Sequence, residues 1–599
     1  MIEPIPPAFL FLFGAVLIPL LKGKIKQGYL LFIPALALID LFLLKPGTHW
    51  VYPFLNYSLV FAQVDRLSLI VGLIFVIIGF LALLYSLQVR EDGQHVAAFL
   101  YVGSSLGVVF AGDFFSLFIF WEIMAVTSVF LIWYQREKGS LDAGFRYILM
   151  HAFGGCCLLA GIVIHFSTRG TMAVGPLGND LASMLILTGF GLNTAFLPLH
   201  TWLPDSYPEG TVTGSVFLSV YTTKTGLYVL ARCFAGADGV AFMGGAMAVY
   251  GVIFALLQND VRRLLSYHIV SQVGYMVAGV GLGTDLAING SIGHVFNHIL
   301  YKALLFMCMG AVIFRTGRRK LTELGGLARK MPVTTLTCVI AALSISGAPG
   351  FNGFVSKGMV ISAAAEKHDA LLELLLVLAS VGTFLSFIKL CYFTFFAKNK
   401  ALEAREVPWP MQLAMAATAF LCVFIGVYPQ SLYQFLPFPV VYQAYTPFHV
   451  VGVIQLFLLA GLVFVLAQRH FAPHRGIALD FDYFYRLGGR FFLWFCSAVL
   501  NAARLGLQER FARVVRATVH FSRDPLWLAE AATRFMELKI HEGFSLGSKH
   551  EIDELRSEFK EVRKMGRAYD ENFYRRPIGI GVFLALGFFF ILVLIYLKA

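Results

Sequence analysis

The sequence predicts an all-α polytopic membrane protein with about sixteen helices, and three observations support this fold class. Of its 599 residues, 58% are hydrophobic and only 14% are charged, whereas soluble chains of this length form several domains with about a quarter of their residues charged. The apolar residues form runs of roughly 18 to 25, the length that crosses hydrocarbon. Lysines and arginines cluster between these runs, where they set the orientation of membrane helices.

The apolar runs give the expected order of the helices. The first runs lie at about 8–21, 28–45, 67–88, 95–111, 113–134, 144–166 and 182–199. The later runs lie at about 211–234, 240–258, 265–283, 287–314, 332–366, 371–397, 409–428, 448–468 and 578–597. The residues before the first run lack the basic character of a cleaved signal peptide, so we expect this run to be retained as a helix.

The distribution of basic residues predicts the orientation in the membrane. With the N-terminus outside, Arg262, Arg263 and Arg319 fall on the inside, while the connection at 429–446 contains no lysine or arginine and falls outside. This bias follows the positive-inside rule. We therefore expect a multi-pass protein in the plasma membrane of a prokaryote, with its N-terminus outside.

Two helices are expected to be broken within the membrane. Pro198 and Pro204 interrupt the run near 197–208, and Pro349 and Gly350 interrupt the run near 344–358. Unwound backbone at membrane depth is tolerated only where it is buried or lines a wet cavity. A single proline kink is usually a packing feature, but two such interruptions in corresponding halves are typical of transporters built from inverted repeats.

Charge and cysteine patterns exclude several other function classes. The net charge is +12, but the basic residues stand at helix ends rather than along one face with aromatic readers, as nucleic-acid binding requires. The eight cysteines lie in apolar runs, where cysteine behaves as a small hydrophobic residue. The sequence has no clustered Cys/His ligand set and no Gly-rich phosphate loop, so we expect no cofactor, no metal and no nucleic acid.

The segment after Arg469 has a different composition. From Asp480 to Arg576, apolar residues at helical spacing alternate with many charged ones, which is typical of an amphipathic helix lying on a membrane surface. A loosely folded cytoplasmic tail is the alternative. The final apolar run then returns to the membrane.

Ionisable residues within the predicted spans are the candidate functional residues, because a charge in hydrocarbon costs several kcal/mol. They are Glu122, Lys224, His294, His298, Lys302 and Lys357. The spacing of four places His294, His298 and Lys302 on one helix face. Burial disfavours an ammonium and a neighbouring carboxylate favours it, so movement or hydration can load or release a proton. Each residue could instead be structural, satisfied by a neighbour or extended towards the interface.

Five segments in one order carry a family resemblance. They lie at 120–124, 200–205, 259–267, 271–276 and 298–306, and read FWEIM, HTWLPD, NDVRRLLSY, SQVGYM and HILYKALLF. Over about residues 60 to 430, the chain resembles the antiporter-like, proton-translocating membrane subunits of respiratory complex I, of Mrp-type Na+/H+ antiporters (their D-type subunit) and of membrane-bound hydrogenases.

The resemblance implies about fourteen core helices with two inverted five-helix repeats, each containing a broken helix. A fifteenth helix, a cytoplasmic amphipathic lateral helix and a C-terminal anchor helix would follow. The implied segments are N-terminal helices at 1–94, repeats at 95–235 and 236–397, core helices at 398–470, a lateral segment at 471–577 and an anchor at 578–599.

The resemblance also implies roles for the ionisable residues. Glu122 matches the acidic residue of helix five, and Lys224 matches the lysine of helix eight. His294, His298 and Lys302 match the central relay of helix eleven, and Lys357 matches the terminal lysine of the second broken helix. Asn193 stands where the family has a lysine before the first break, so the first half lacks its usual titratable group. Glu122 would then pair with Lys224, or this half would conduct poorly.

The resulting expectation is a component of a multisubunit antiporter or respiratory complex that moves protons, either alone or in exchange for sodium. Any redox activity would reside in partner subunits, because this chain has no redox site of its own. The alternative is a structural membrane scaffold with a degenerate first half-channel. Other membrane subunits and the lipid bilayer are the expected partners.

Overall fold

The computed structural model describes residues 5–55, 57–397, 402–473, 479–523, 525–544, 546–565 and 578–598. The described chain is predominantly helical and divides into two units, Met1–Asp482 and Tyr483–Ala599. Eleven of its helices are long and apolar enough to cross a membrane. The structure thus agrees with a polytopic helical membrane protein.

The first helices of the first unit form its N-terminal half. They are Pro7–Leu17 (α1), Gly23–Leu43 (α2), Arg66–Tyr85 (α3), Asp92–Phe110 (α4), Phe114–Trp133 (α5), Lys138–Arg169 (α6), Leu181–Asn193 (α7), Trp202–Ser206 (α8), Gly214–Leu218 (α9) and Thr222–Cys233 (α10). A hairpin of antiparallel strands, Gly47–Phe54 (β1) and Tyr57–Val64 (β2), lies between α2 and α3. The sequence patterns did not predict this hairpin.

The remaining helices of the first unit form its C-terminal half. They are Asp238–Leu257 (α11), Val261–Leu282 (α12), Asp285–Thr316 (α13), Pro332–Ser346 (α14), Asn352–Glu366 (α15), Ala370–Cys391 (α16), Trp409–Val427 (α17), Gln430–Tyr433 (α18), Pro447–Leu466 (α19) and Gln468–Phe471 (α20). Among them, α13 has the longest continuous buried stretch, since every residue from Ala287 to Val312 is buried.

Two predicted runs are interrupted in the structure, and both interruptions lie beside a candidate lysine. The run at 332–366 is divided into α14 and α15, as its Gly/Pro cluster predicts. The run at 211–234 is divided into α9 and α10, at a break that no proline marks. The first Pro-rich break, between α7 and α8, includes a cis Leu197–Pro198 peptide.

Glycines allow α11 and α12 to cross with their backbones in close contact. A Cβ atom on Gly244 would lie 2.2 Å from the backbone nitrogen of Ala278, and one on Gly281 would lie 2.1 Å from that of Ala241. Gly251 and Gly274 meet the opposite backbone in the same way. Small residues permit this approach between membrane helices, where dispersion contacts drive association.

The second unit consists of Asp482–Trp494 (α21, whose first residue belongs to the first unit), Asn501–Arg523 (α22), Pro525–Phe544 (α23), Lys549–Met565 (α24) and Ile578–Lys598 (α25). A π-helical segment, Phe495–Leu500, joins α21 to α22. Ion pairs join α23 to α24, with Arg556 2.8 Å from Glu542 and Arg534 3.1 Å from Glu558. The described part of the tail is therefore helical, and the amphipathic segment is divided into several helices rather than one.

The glycine contacts between α11 and α12 predict a packing effect on stability. We expect Gly244→Ala to lower the free energy of unfolding by about 1–3 kcal/mol, because the new methyl group would force two backbones apart. Gly461→Ala in α19 is the control, since nothing lies within 4 Å of its Cβ position. Thermal unfolding in detergent measures both variants, and equal melting temperatures for Gly244→Ala and wild type would contradict this role.

Candidate functional site

Lys357 lies at the second helix break and uses a main-chain oxygen that the break exposes. The chain leaves α14 through Gly347 and Gly350, whose φ angles are 85° and 89°, in the left-handed region that favours glycine. The last carbonyls of a helix have no partner within it. Lys357 Nζ donates to one of them, the carbonyl oxygen of Ile345, at 3.1 Å. The break therefore supplies an acceptor for a buried amine.

Lys224 has the same arrangement at the break between α9 and α10. This lysine is fully buried, and its Nζ donates to the carbonyl oxygen of Ser219 at 2.6 Å. Ser219 follows the last residue of α9. Arg232 near the end of α10 forms hydrogen bonds of 2.5 and 2.7 Å with Asp65, which caps α3. The helix that carries Lys224 is thus fixed at its far end.

Three candidate residues share a buried face of α13, as their spacing predicts. His294, His298 and Lys302 are all completely buried. The ring centres of His294 and His298 lie 6.4 Å apart. His294 contacts Ser356 Oγ through Nδ1 at 3.1 Å and Gln272 Oε1 through Nε2 at 3.3 Å. Imidazole can both donate and accept, so this histidine connects α12, α13 and α15.

The aromatic ring of Tyr275 connects the α13 face to Lys357. Lys357 Nζ lies 4.8 Å from the centre of this ring, and the imidazole of His294 lies 5.9 Å from it. An ammonium over an aromatic face at this distance is attracted by the ring quadrupole. Asn297 joins α13 to α15 by donating to the carbonyl oxygen of Asn352 at 2.8 Å.

Lys302 and His298 differ from the other buried groups because their polar atoms have no hydrogen-bond partner among the described residues. Lys302 Nζ lies over the aromatic face of Phe387, whose ring centre is 5.8 Å away. The ring of His268 on α12 lies 4.7 Å from the same phenyl group. Unsatisfied buried polar groups are costly, and the described residues leave the amine of Lys302 and the imidazole of His298 without hydrogen bonds.

Glu122 on α5 is half-buried and points towards α6. A Cβ atom on Gly155 would lie 2.2 Å from Glu122 Oε1, so the carboxylate packs closely against α6. Within the described ranges, Oε1 has no hydrogen-bond partner, and no ion pair joins Glu122 to Lys224. The pairing of these two residues, one of the two arrangements expected from the sequence, is therefore absent from this structure.

Asn193 is the last residue of α7 and is completely buried. Neither its Nδ2 nor its Oδ1 has a partner among the residues that the structure describes. The turn at Asn193 and Thr194 packs on Gly226, two residues after Lys224, where a Cβ atom would lie 2.7 Å from Thr194 Oγ1. The amide is thus placed at the first break, beside the helix of Lys224.

The first broken helix contains the predicted prolines and is held by neighbouring groups. The indole nitrogen of Trp202 donates to the carbonyl oxygen of Leu192 at 3.0 Å, which bridges the break between α7 and α8. Arg263 Nε donates to the carbonyl oxygen of Pro204 at 3.3 Å. Side chains therefore satisfy backbone groups that the lost helical turns leave free.

Sequence reasoning missed several buried histidines, including two that contact residues described above. His151 on α6 stacks on Tyr147 with ring centres 3.9 Å apart and lies edge-on to Trp202 at 4.6 Å. His268 on α12 is the other. Both stand inside apolar runs, so the criterion that selected His294 would also have found them. The sequence could not show that their rings face the broken helix and Phe387.

A buried carboxylate beside the first break was also missed. Asp480 is 7% exposed and accepts hydrogen bonds of 2.5 Å from the hydroxyls of Tyr250 and Tyr267. Its Oδ1 lies 3.3 Å from Nε2 of the buried His200. Burial raises the pKa of the Asp480 carboxyl, but these contacts outweigh it and hold the pKa at about 2. Asp480 is thus an anion at neutral pH.

The site therefore offers amines, imidazoles and hydroxyls in a largely apolar interior. Carbonyl oxygens at helix breaks accept from two of the amines, while other polar atoms lack protein partners within the described chain. Such groups can accept and release protons when hydration or helix position changes.

Three comparisons with known proteins bear on this arrangement. Residues 111–386 match the family model described as NADH:quinone oxidoreductase/Mrp antiporter, TM. An uncharacterized protein of Methanocaldococcus jannaschii is 30% identical over 458 residues, which cover 70% of this chain and 94% of the relative. The A-type subunit of a Na+/H+ antiporter from Alkalihalophilus pseudofirmus is 30% identical over 423 residues. This match covers 62% of this chain and 52% of the relative, so the chain spans about half of that relative's length.

A solved structure shares the fold. It is that of the membrane-bound sulfane sulfur reductase, an archaeal respiratory membrane complex, in which one chain superposes with a TM-score of 0.67 at 24% identity. The superposition covers 85% of this chain and 95% of that chain.

The contacts of Asp480 predict that this residue stabilises the fold. We expect Asp480→Asn to lower the free energy of unfolding by about 1.5–3 kcal/mol, because hydrogen bonds to a buried anion would be weakened. Asp553→Asn in α24 is the matched control, since that side chain is 64% exposed and surface ion pairs contribute little. Thermal unfolding checks both, and an unchanged melting temperature for Asp480→Asn would refute the assignment.

Proposed function

Because the chain belongs to the family of membrane subunits shared by NADH:quinone oxidoreductases and Mrp antiporters, we propose that it moves protons through its buried lysines and histidines. The observation that carries this proposal is the row of His294, His298 and Lys302 on α13, which continues through Tyr275 to Lys357. Ionisable groups in membrane helices are rare and mark ion pathways. Here they are contiguous.

The proposed relay leads from groups without protein partners among the described residues to groups that are hydrogen-bonded. Lys302 and His298 lack protein partners within the described chain, whereas His294 is held by Ser356 and Gln272. A proton arriving at the row would pass along the imidazoles to Lys357, whose ammonium is stabilised by the carbonyl of Ile345. Water molecules between these groups would complete the connections, since a buried water molecule typically bonds two to four polar groups.

The first half of the chain contributes less to transport in this proposal. Glu122 and Lys224 are present, but Asn193 at the first break is an amide and does not titrate. Asn193 would instead orient water beside Lys224. The two halves, with expected ranges 95–235 and 236–397, would thus differ in their proton capacity.

The proposed setting is a multisubunit complex in a prokaryotic plasma membrane. The chain would assemble with other membrane subunits, with its N-terminus outside and the segment around α21–α24 on the cytoplasmic side. Exchange for sodium is part of the proposal for an antiporter setting, as the name of the Alkalihalophilus relative indicates. Electron transfer in partner subunits would drive transport in a respiratory setting.

A structural scaffold is the second candidate function, and Asn193 is the observation that favours it. A chain that has lost a titratable group at one break could have lost transport altogether. It would then hold neighbouring subunits through its exposed apolar faces without conducting ions.

Replacing Lys357 tests the proposed function directly. We expect Lys357→Ala to abolish proton flux in vesicles containing the assembled complex, because the last amine of the row would be lost. Lys367→Ala is the matched control, since Lys367 is exposed at the end of the same helix. Flux is measured with a pH-sensitive dye, and normal flux in Lys357→Ala would remove this lysine from the mechanism.

The two halves can be separated by comparing variants. We expect Glu122→Gln to slow proton flux by less than about tenfold, a smaller loss than the 10²–10⁴-fold typical of an essential acid or base. The first half already lacks a titratable group at Asn193, so less remains to be lost. An effect of Glu122→Gln as complete as that of Lys357→Ala would show that both halves conduct in series.

A further inference from the structure

Two neighbouring cavities lie beside the second helix break. The inner one has a volume of about 60 Å³, and Lys357 lines it, so it has room for a few water molecules at roughly 15 Å³ each. The outer one has a volume of about 830 Å³. The two share the lining residues Gly358, Ile361, Val377, His449, Val453 and Leu456. The cavity that contains Lys357 therefore adjoins a large outer cavity across these residues.

His449 is the ionisable residue at this boundary. Its ring stacks on Phe354 with centres 4.3 Å apart and planes at 14°. Its Nδ1 lies 2.8 Å from the carbonyl oxygen of Ala444, and a carbonyl only accepts, so we assign the proton of the neutral ring to Nδ1. Nε2 is then left with a lone pair.

The other edge of the ring lies over α15. A Cβ atom on Gly358 would lie 2.5 Å from Cε1 and 2.9 Å from Nε2 of His449. Gly358 directly follows Lys357, and only a glycine leaves space for the imidazole here. The free nitrogen is therefore directed at the segment of backbone that carries the lysine.

A hydrogen bond links the connection before α19 to the break between α14 and α15. The hydroxyl of Tyr445 accepts from the backbone nitrogen of Gly350 at 3.0 Å, and the hydroxyl of Tyr442 lies 3.4 Å from His449 Nδ1. Movement at the break would therefore be transmitted to the residues around His449.

We propose that His449 relays protons between Lys357 and the outer cavity, which is the aqueous port of the second half; this inference rests on the proposed function. The Lys357 ammonium gives a proton, through water in the inner cavity, to Nε2 of the neutral imidazole. The lysine becomes a neutral amine and the histidine an imidazolium. The imidazolium then releases the Nε2 proton to water in the outer cavity.

Water is the occupant to which this proposal commits, rather than a lipid chain. Polar side chains from three helices and one connection line the outer cavity, namely Ser362 on α15, Glu373 on α16, Gln443 and Thr446 before α19, and Gln455 on α19. Glu373 is the charged group among the lining residues and would attract cations. By the orientation proposed above, the connection at 429–446 places this port on the outside.

Chemical rescue tests the relay. We expect His449→Ala to slow proton flux by about tenfold or more, and imidazole added on the side of the 429–446 connection to restore most of it. Lys357→Ala with imidazole should stay inactive. Full flux in His449→Ala, or a loss that imidazole does not restore, would overturn the relay. Absence of flux from the wild-type complex would instead contradict the proposed function itself.

Cysteine labelling tests the port independently of flux. The background replaces the three cysteines that are not fully buried, Cys156, Cys157 and Cys496, by serine. We expect Ser362→Cys to react with a charged, membrane-impermeant thiol reagent. Leu458→Cys, on the exposed face of α19 outside the cavity lining, should not. Reaction of Ser362→Cys only with a membrane-permeant reagent would identify a lipid-filled crevice and overturn the port.

Discussion

The hydrogen bond between a buried lysine and a carbonyl exposed by a helix break is the interaction on which this structure depends. An ammonium in an apolar interior is very costly unless acceptors surround it. Lys224 and Lys357 both obtain such an acceptor from an interrupted helix, and Lys389 uses the carbonyls at the end of α11 at 2.6 and 3.0 Å. The carbonyl end of a helix is also its negative end. Helix ends and breaks therefore supply acceptors for three of the four buried lysines among the described residues, and Lys302 is the exception.

Two other buried groups, His298 and Lys302, have no such acceptor among the described residues. His298 and Lys302 lie in the long buried stretch of α13, yet their polar atoms have no partner within the described chain. A proton needs a hydrogen-bonded connection to pass between two groups, so transfer along this face would require water to enter and bond these unsatisfied atoms. The glycines bring the backbones of α11 and α12 into close contact, and we expect this contact to resist movement of the two helices. Proton transfer would then depend on hydration and on small shifts at the helix breaks.

Sequence patterns predicted the helical membrane class, the two Pro-rich breaks and the shared face of His294, His298 and Lys302, because composition and helical periodicity are local properties. The break before Lys224 was missed, since no proline marks it. The hairpin of β1 and β2 was missed although Pro46 and Gly47 mark the start of β1. His151 and His268 were overlooked although they met the criterion used. Asp480 and His449 could not be found from sequence, because their roles depend on side chains up to 280 positions away in the chain.

The most direct measurement is the internal pH of vesicles that contain the native wild-type complex, energised by an ion gradient or by electron transfer in its partner subunits. The account predicts a change in internal pH that a protonophore abolishes and that scales with the amount of complex. A complex that remains assembled and energised, but leaves the internal pH unchanged, would contradict proton movement through this chain and would favour the scaffold.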